Sequence, residues 1–278
     1  MTTVEIGKNI VAAGIATNYH EVGSGPPIIL LHGSGPGVSA WANWSHIMPR
    51  LGTQYRVLAP DIVGFGSTER PAGAQYSIKL WVGHLIGFLD ALKIDRAVLV
   101  GNSFGGGISL AASLRFAERI AGMVLMGTPA GEFPQSEGLA AGWHYEPSLE
   151  NMERLLKLFP FDPGIVTPAM VKARYEASLL HGGQGAVRKL QPEPAPAGTA
   201  ATVKGVPESA LATITVPTLA LHGRDDKVVP MECALRVLRC IPRSELHLFA
   251  DCGHWVQIER EDAFVDLVIN FAQRVSRR

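Results

Sequence analysis

The stretch Ala97-Val98-Leu99-Val100-Gly101-Asn102-Ser103-Phe104-Gly105-Gly106-Gly107-Ile108-Ser109-Leu110 decides the fold. Residues 97–100 are apolar and closed by glycine, the pattern of a strand buried on both faces. After the glycines, Leu110, Ala111, Ala112 and Leu114 read as a helix. The turn between them is Gly101-x-Ser103-x-Gly105. A strand that passes into a helix over so few residues drives its central residue to positive φ and leaves its flanks no room for a Cβ. Glycine two before and two after the serine meets both demands. The result is a hydroxyl held proud of the sheet, beside the positive end of a helix, which suits a nucleophile.

Composition bounds what surrounds this turn. A chain of 278 residues, 47% hydrophobic, can bury one sizeable core, or one core plus a lid. Lys+Arg and Asp+Glu both number 25, so no net charge draws the protein to nucleic acid or anionic lipid. Cys233, Cys240 and Cys252 are odd in number and lack CxxC spacing, which argues against a disulfide framework and a zinc site and points to a reducing cytoplasm. Glu5 and the lack of a long apolar core near the N-terminus predict no signal peptide. No apolar run has the length of a membrane span.

In chain order, Val4 to about Glu21 predicts two short strands turning near Ala13-Gly14. Pro27–Leu31 is a buried strand ending at His32-Gly33-Ser34-Gly35-Pro36-Gly37, followed by a helix through Trp41, Trp44, Ile47 and Met48. Arg56–Ala59 is a strand, and Leu85, Phe88, Leu89 and Leu92 have helical spacing within Ile78–Leu92. Met123–Met126 is another strand. From 130 to 215 the strand–helix rhythm breaks, which predicts a helical lid inserted into a core formed by 1–129 and 216–278. Within it, Ser148 caps a helix with Leu149, Met152, Leu155, Leu156 and Phe159 on one face, and Thr167-Pro168 opens a second through Tyr175 and Leu179. Gly182-Gly183, Pro192, Pro194 and Pro196 mark a flexible or extended connection. Alternation resumes with a strand at Pro217–Gly223, a helix at Met231–Arg239, a strand at Glu245–Phe249 and a closing helix from about Asp262 to Arg274. The architecture expected is α/β: a mostly parallel sheet with helices on both faces.

Three loops that each follow a strand carry Ser103, the pair Asp225-Asp226, and His254. In a parallel sheet such loops share one edge, where ligands bind. A serine needs a base; histidine has the suitable pKa, and a carboxylate fixes its tautomer and stabilises the imidazolium.

Along its whole length the chain resembles the α/β-hydrolases, whose order is Ser…Asp…His. More narrowly it is similar to the meta-cleavage product hydrolases, which cut carbon–carbon bonds in the ring-fission products of aromatic catabolism. The matching pieces are His32-Gly33-Ser34-Gly35-Pro36-Gly37 with Trp41 and Asn43; Gly101-Asn102-Ser103-Phe104-Gly105-Gly106; Gly223-Arg224-Asp225-Asp226-Lys227-Val228-Val229-Pro230; and Cys252-Gly253-His254-Trp255. The resemblance makes Asp226, three residues past Gly223 and four before Pro230, the triad acid, and Asp225 a solvated loop carboxylate. His32 supports its loop. Backbone N–H groups of Ser34 and Phe104 form the oxyanion hole. Substrates implied are 2-hydroxy-6-oxohexa-2,4-dienoates. Gly33, Asn43, Asn102 and Trp255 would line the polar part, Arg174 would reach the carboxylate, and Phe159, Phe161 and Trp143 would shape the space for the C6 substituent.

The implied chemistry uses no metal or organic cofactor and yields 2-hydroxypenta-2,4-dienoate and a carboxylic acid. The implied partners are the small-molecule dienoate and further copies of the chain, as a dimer or larger. The rival readings are a carboxylesterase on the same fold and a non-enzymatic small-molecule sensor. Haloalkane dehalogenases and epoxide hydrolases place an aspartate where this chain has Ser103. The C6 substituent stays open between alkyl, aryl and biaryl-derived groups.

Overall fold

A computed structural model describes residues 6–180, 185–192 and 201–276. The first two strands are β1 (Lys8–Ala12) and β2 (Ile15–Val22), joined where Ala13 and Gly14 take positive φ. Then come β3 (Pro27–Leu31), β4 (Arg56–Pro60), β5 (Ala97–Asn102), β6 (Ile120–Met126), β9 (Thr218–Gly223) and β10 (Ser244–Phe249). Among the described residues these form one eight-stranded sheet in the order β1-β2-β4-β3-β5-β6-β9-β10. The β1–β2 and β2–β4 pairs are antiparallel, and the pairs from β4 through β3 to β10 are parallel. Ser103 thus follows a central strand.

Side-chain alternation splits the core in two. On β5, Ala97 and Leu99 join one buried cluster, while Val98 and Val100 join the other. Leu85, Phe88 and Leu89 of α3 (Ile78–Ala91) and Ile108 and Leu110 of α4 (Phe104–Ser113) cover the first face. The second is covered by Trp44 of α1 (Ala40–Trp44), Met48 and Leu51 of α2 (Met48–Leu51), and Phe264, Val268 and Phe271 of α12 (Glu261–Ser276). The single helix expected through Trp41 and Met48 is therefore two. Pro49 has no N–H for a bond to Ser45 and sits in the first turn of α2, where that loss is harmless.

Between β6 and β9 both expected helices are present: α6 (Leu149–Leu156), capped by Ser148, and α7 (Pro168–Leu179), capped by Thr167. Met152, Leu155 and Leu156 of α6 and Val171 of α7 pack with Tyr145, Val166 and Trp255 in a third cluster. Also present are α5 (Glu137–Trp143), α8 (Gly185–Arg188), α9 (Glu208–Leu211) and a two-stranded ladder of β7 (Glu132–Pro134) on β8 (Thr202–Lys204). The expected connection at Gly182-Gly183, Pro194 and Pro196 lies outside the described residues. Beyond β9 are α10 (Glu232–Cys240) and a short α11 (Val256–Glu259) before α12.

His84 on α3 is buried, and its Nε2 lies 2.8 Å from Thr17 Oγ1 on β2. Because the Thr17 hydroxyl donates to Ile15 O, the imidazole N–H is the donor to Thr17. Burial lowers the His84 pKa from 6.5 to about 4, so the folded ring stays neutral. The unfolded chain binds this proton between those two pH values and the folded chain does not, so stability falls as pH drops from 6.5 towards 4. The contribution lost is about 3 kcal/mol. Denaturant midpoints at pH 7.5 and 4.5 should therefore fall further for the wild type than for His84→Gln. Equal falls in the two proteins would contradict this.

Candidate active site

Ser103 occupies the turn from β5 into α4 at φ 51, ψ −112, the strained conformation its glycine spacing requires. A Cβ at Gly101 would fall 2.5 Å from Gly106 N, and one at Gly105 would strike Leu31 O. The Ser103 N–H donates to Met126 O at 2.7 Å, tying the turn to the end of β6.

His254 and Asp226 meet over the next residue. His254 Nδ1 lies 2.7 Å from Asp226 Oδ2, and both side chains are almost fully buried. Asp226 Oδ1 accepts the N–H groups of Val228 (2.7 Å) and Val229 (2.9 Å). Burial alone would raise the Asp226 pKa, but the charge and hydrogen bond of His254, with the Val229 N–H behind them, outweigh it and hold the carboxyl below its usual range. An ionised Asp226 receives the proton on His254 Nδ1, which leaves Nε2 as the basic nitrogen. Gly127, at φ 53, makes room for the pair: a Cβ there would lie 2.8 Å from His254 Nδ1. Asp225 instead faces Arg224 at 3.8 Å, so the two neighbouring acids have different surroundings.

Ser103 and His254 line one small cavity of about 40 Å³, together with Gly33, Ser34, Asn43, Asn102, Trp143, Phe159, Arg174 and Trp255. Ser34 shares this cavity with Ser103; Phe104, which does not line it, is the N-terminal residue of α4 and has no helical acceptor for its N–H. The loop bearing Ser34 is held from behind. His32 Nε2 accepts the Ile62 N–H at 3.0 Å, so Nδ1 carries the proton and donates to Gly33 O at 2.6 Å. Burial lowers the His32 pKa, in keeping with that neutral, supporting role. Buried Asp61 accepts the Ala40 N–H at 2.7 Å and fixes the far end of the loop.

The cavity walls are poised for an anion. Asn43 Nδ2 and Asn102 Nδ2 are buried donors without a partner among the described residues. Burial lowers the Arg174 pKa to about 10, still well above neutrality, so its guanidinium is charged and poorly solvated. A larger cavity of about 400 Å³ adjoins on the other side of Arg174, Asn43 and Trp255. Among the described residues there is no cluster of three or more His, Cys, Asp or Glu side chains placed to hold a metal ion.

One expected residue lies elsewhere. Phe159 stacks on Trp255 (5.3 Å, 6°), but the side chain of Phe161 is 42% exposed and lines neither cavity. Phe161 instead meets the site through its backbone, whose N–H donates to Glu259 Oε2 at 2.7 Å. Gly127, His222 and Glu259 were not singled out from sequence. His222 Nε2 lies 3.0 Å from Val229 O and 3.5 Å from Asp226 Oδ2, and Glu259 binds the His254 loop. Gly127 could have been noticed as a glycine ending the Met123–Met126 strand; nothing local marks the other two.

Residues 28–267 match the family model described as "Alpha/beta hydrolase family". The 2-hydroxy-6-oxo-2,4-heptadienoate hydrolase of Pseudomonas putida strain F1 is 48% identical over 98% of this chain and 98% of its own length. The 2-hydroxymuconate semialdehyde hydrolase of Pseudomonas sp. strain CF600 is 46% identical over 96% of this chain and 94% of its own. A solved meta-cleavage product hydrolase from Pseudomonas fluorescens IP01 superposes with a TM-score of 0.90 at 47% identity, covering 98% of this chain and 99% of that one. With the Ser…Asp…His order set on this sheet, the chain belongs to the alpha/beta hydrolase family and, within it, to the meta-cleavage product hydrolases.

Proposed function

We propose that this enzyme hydrolyses a C–C bond in 2-hydroxy-6-oxohexa-2,4-dienoates, with Ser103 as nucleophile, His254 as base and Asp226 as the acid that orients it. The observation that carries the reading is a single cavity in which Ser103 and the Asp226-bound His254 face two unpartnered amide donors and a desolvated guanidinium. That wall suits a substrate with a carboxylate and an enol at one end and a ketone at the other. An ordinary ester would leave the Arg174 charge unmatched.

The dienol first ketonises, which places a proton on the chain and makes its C–C bond breakable. His254 Nε2 then takes the Ser103 proton as Oγ attacks the C6 carbonyl. The oxyanion forms beside the N–H groups of Ser34 and Phe104. Collapse breaks the C5–C6 bond, and its electron pair passes into a dienolate that takes the proton from His254 and leaves as 2-hydroxypenta-2,4-dienoate; water then removes the acyl group from Ser103, with the neutral His254 again as base. Segment 130–215 serves as a lid, excluding bulk water from these steps.

The C6 substituent is small, a hydrogen or a short alkyl group. The cavity at Ser103 holds about 40 Å³, with Leu139, Trp143 and Val228 among its lining residues. The names of the two relatives describe substrates with a methyl ketone and an aldehyde at that position. The enzyme works in the cytoplasm, where its free cysteines stay reduced, with Cys252 made unreactive by burial that pushes its pKa to about 12. It assembles as a homo-oligomer, which light scattering would report.

Loss of dienoate absorbance tests the reaction. The wild type should consume a methyl-substituted dienoate at least tenfold faster (kcat/KM) than a phenyl-substituted one, and Ser103→Ala should consume neither. Ester turnover without dienoate turnover would favour the esterase. Arg174→Gln should raise KM for the dienoate on the order of 10- to 100-fold, the loss of a charge-assisted hydrogen bond; an unchanged KM would remove Arg174 from the site. Gly127→Ala should lower kcat by about 100-fold with its circular dichroism intact, since the new methyl displaces His254. Full activity in that variant would contradict the crowding described at Gly127.

A further inference from the structure

We infer that Glu259 is a positioning residue that locks the His254 loop to the lid, so that seating the lid and aiming the base are one event. The inference rests on the function proposed above and adds a residue that does not touch the reacting atoms.

Four contacts from three backbone N–H groups converge on this side chain. Glu259 Oε1 accepts from Gly253 N at 3.1 Å and from Trp255 N at 3.2 Å, the residues on either side of the base. Oε2 accepts from Gly253 N at 3.1 Å and from Phe161 N at 2.7 Å. The remaining N–H of the loop, that of His254, donates at 2.6 Å to Phe159 O. All three consecutive N–H groups of residues 253–255 are thus fixed, either by Glu259 or by the lid segment 159–161. Glu259 also holds the same segment from the other side.

A carboxylate suits this task because it accepts several N–H groups at once, and charge-assisted bonds are the stronger kind. Gly253 permits the approach: a Cβ there would lie 2.7 Å from Phe161 N and strike Phe159 O. The outcome is a closed circuit from Phe159 O to His254 N, through Gly253 and Trp255 to Glu259, and back to Phe161 N. Phe159 also stacks on Trp255, so the joint has an apolar side as well. If segment 159–161 lifts, His254 loses its backbone acceptor and Glu259 loses a donor together. The imidazole then keeps Asp226, and Gly253 and Trp255 keep Glu259, but nothing ties the loop to segment 159–161.

Glu259→Gln tests this, because an amide keeps one acceptor oxygen and turns the other position into a donor facing N–H groups. Amide hydrogen exchange, which needs no substrate, should show Phe161, Gly253 and Trp255 losing protection together. In folded protein, kcat should fall roughly 10- to 100-fold for the dienoate, with KM within threefold. Hydrolysis of p-nitrophenyl acetate should fall in parallel. Glu261→Gln, which changes the same charge on a residue paired with Arg50, should leave exchange and kcat unchanged. Should Glu259→Gln not fold, Glu259→Asp, one methylene shorter, gives the same readings. Unchanged protection at Phe161 would overturn the link to the lid. Unchanged kcat in folded protein would overturn the positioning role, as would an equal loss in Glu261→Gln. Loss of ester turnover alone, with dienoate never consumed, would fault the dienoate reading and leave Glu259 in place.

Discussion

The site depends on one buried carboxylate. Asp226 is withdrawn from water in a position where an unpaired charge is costly, and it stays ionised because N–H groups surround it. Val228 and Val229 satisfy one oxygen and His254 the other. This arrangement decides which imidazole nitrogen bears the proton, and the choice of tautomer makes Nε2 a base. The chain just past Asp226 turns back so that the N–H groups two and three residues on reach the same carboxylate oxygen.

The rest of the fold brings that pair to the cavity lined by Ser103. Met126 O receives the Ser103 N–H, and the next residue, Gly127, lies against His254. Two consecutive positions, the last of β6 and the one after it, therefore contact both Ser103 and His254. Backbone strain at Ser103 persists because β5 and α4 are buried around it and fix the turn from both ends. The same cavity holds Arg174 and the Nδ2 atoms of Asn43 and Asn102, which have no partner among the described residues. Backbone strain and unpaired donors are features that folding alone disfavours, and a bound anion relieves the second.

Much of this was legible in the sequence, for reasons that differ by element. Buried parallel strands such as Ile28–Leu31 and Val98–Val100 announce themselves as short apolar runs, and the glycines around Ser103 state a steric demand directly. Caps at Ser148 and Thr167 located two insertion helices because their hydroxyls bond N–H groups three residues on. What escaped has long-range causes. The β7–β8 ladder joins segments about seventy residues apart, and α5 and α9 are too short to show a period. The break between α1 and α2 was available in Pro49 and was read through. Phe161 was expected, with Phe159 and Trp143, to shape the space for the C6 substituent, yet its backbone and not its ring meets Glu259. Glu259 carries no local mark, since an acid on a short helix usually faces water.

The most direct test of a Ser103–His254–Asp226 unit is covalent. A fluorophosphonate added to active enzyme should form one adduct, on the peptide containing Ser103, as dienoate turnover disappears. His254→Gln should slow that labelling by orders of magnitude while the fold is retained. Complete inactivation with the adduct on a different residue, or labelling at the wild-type rate in His254→Gln, would contradict the account.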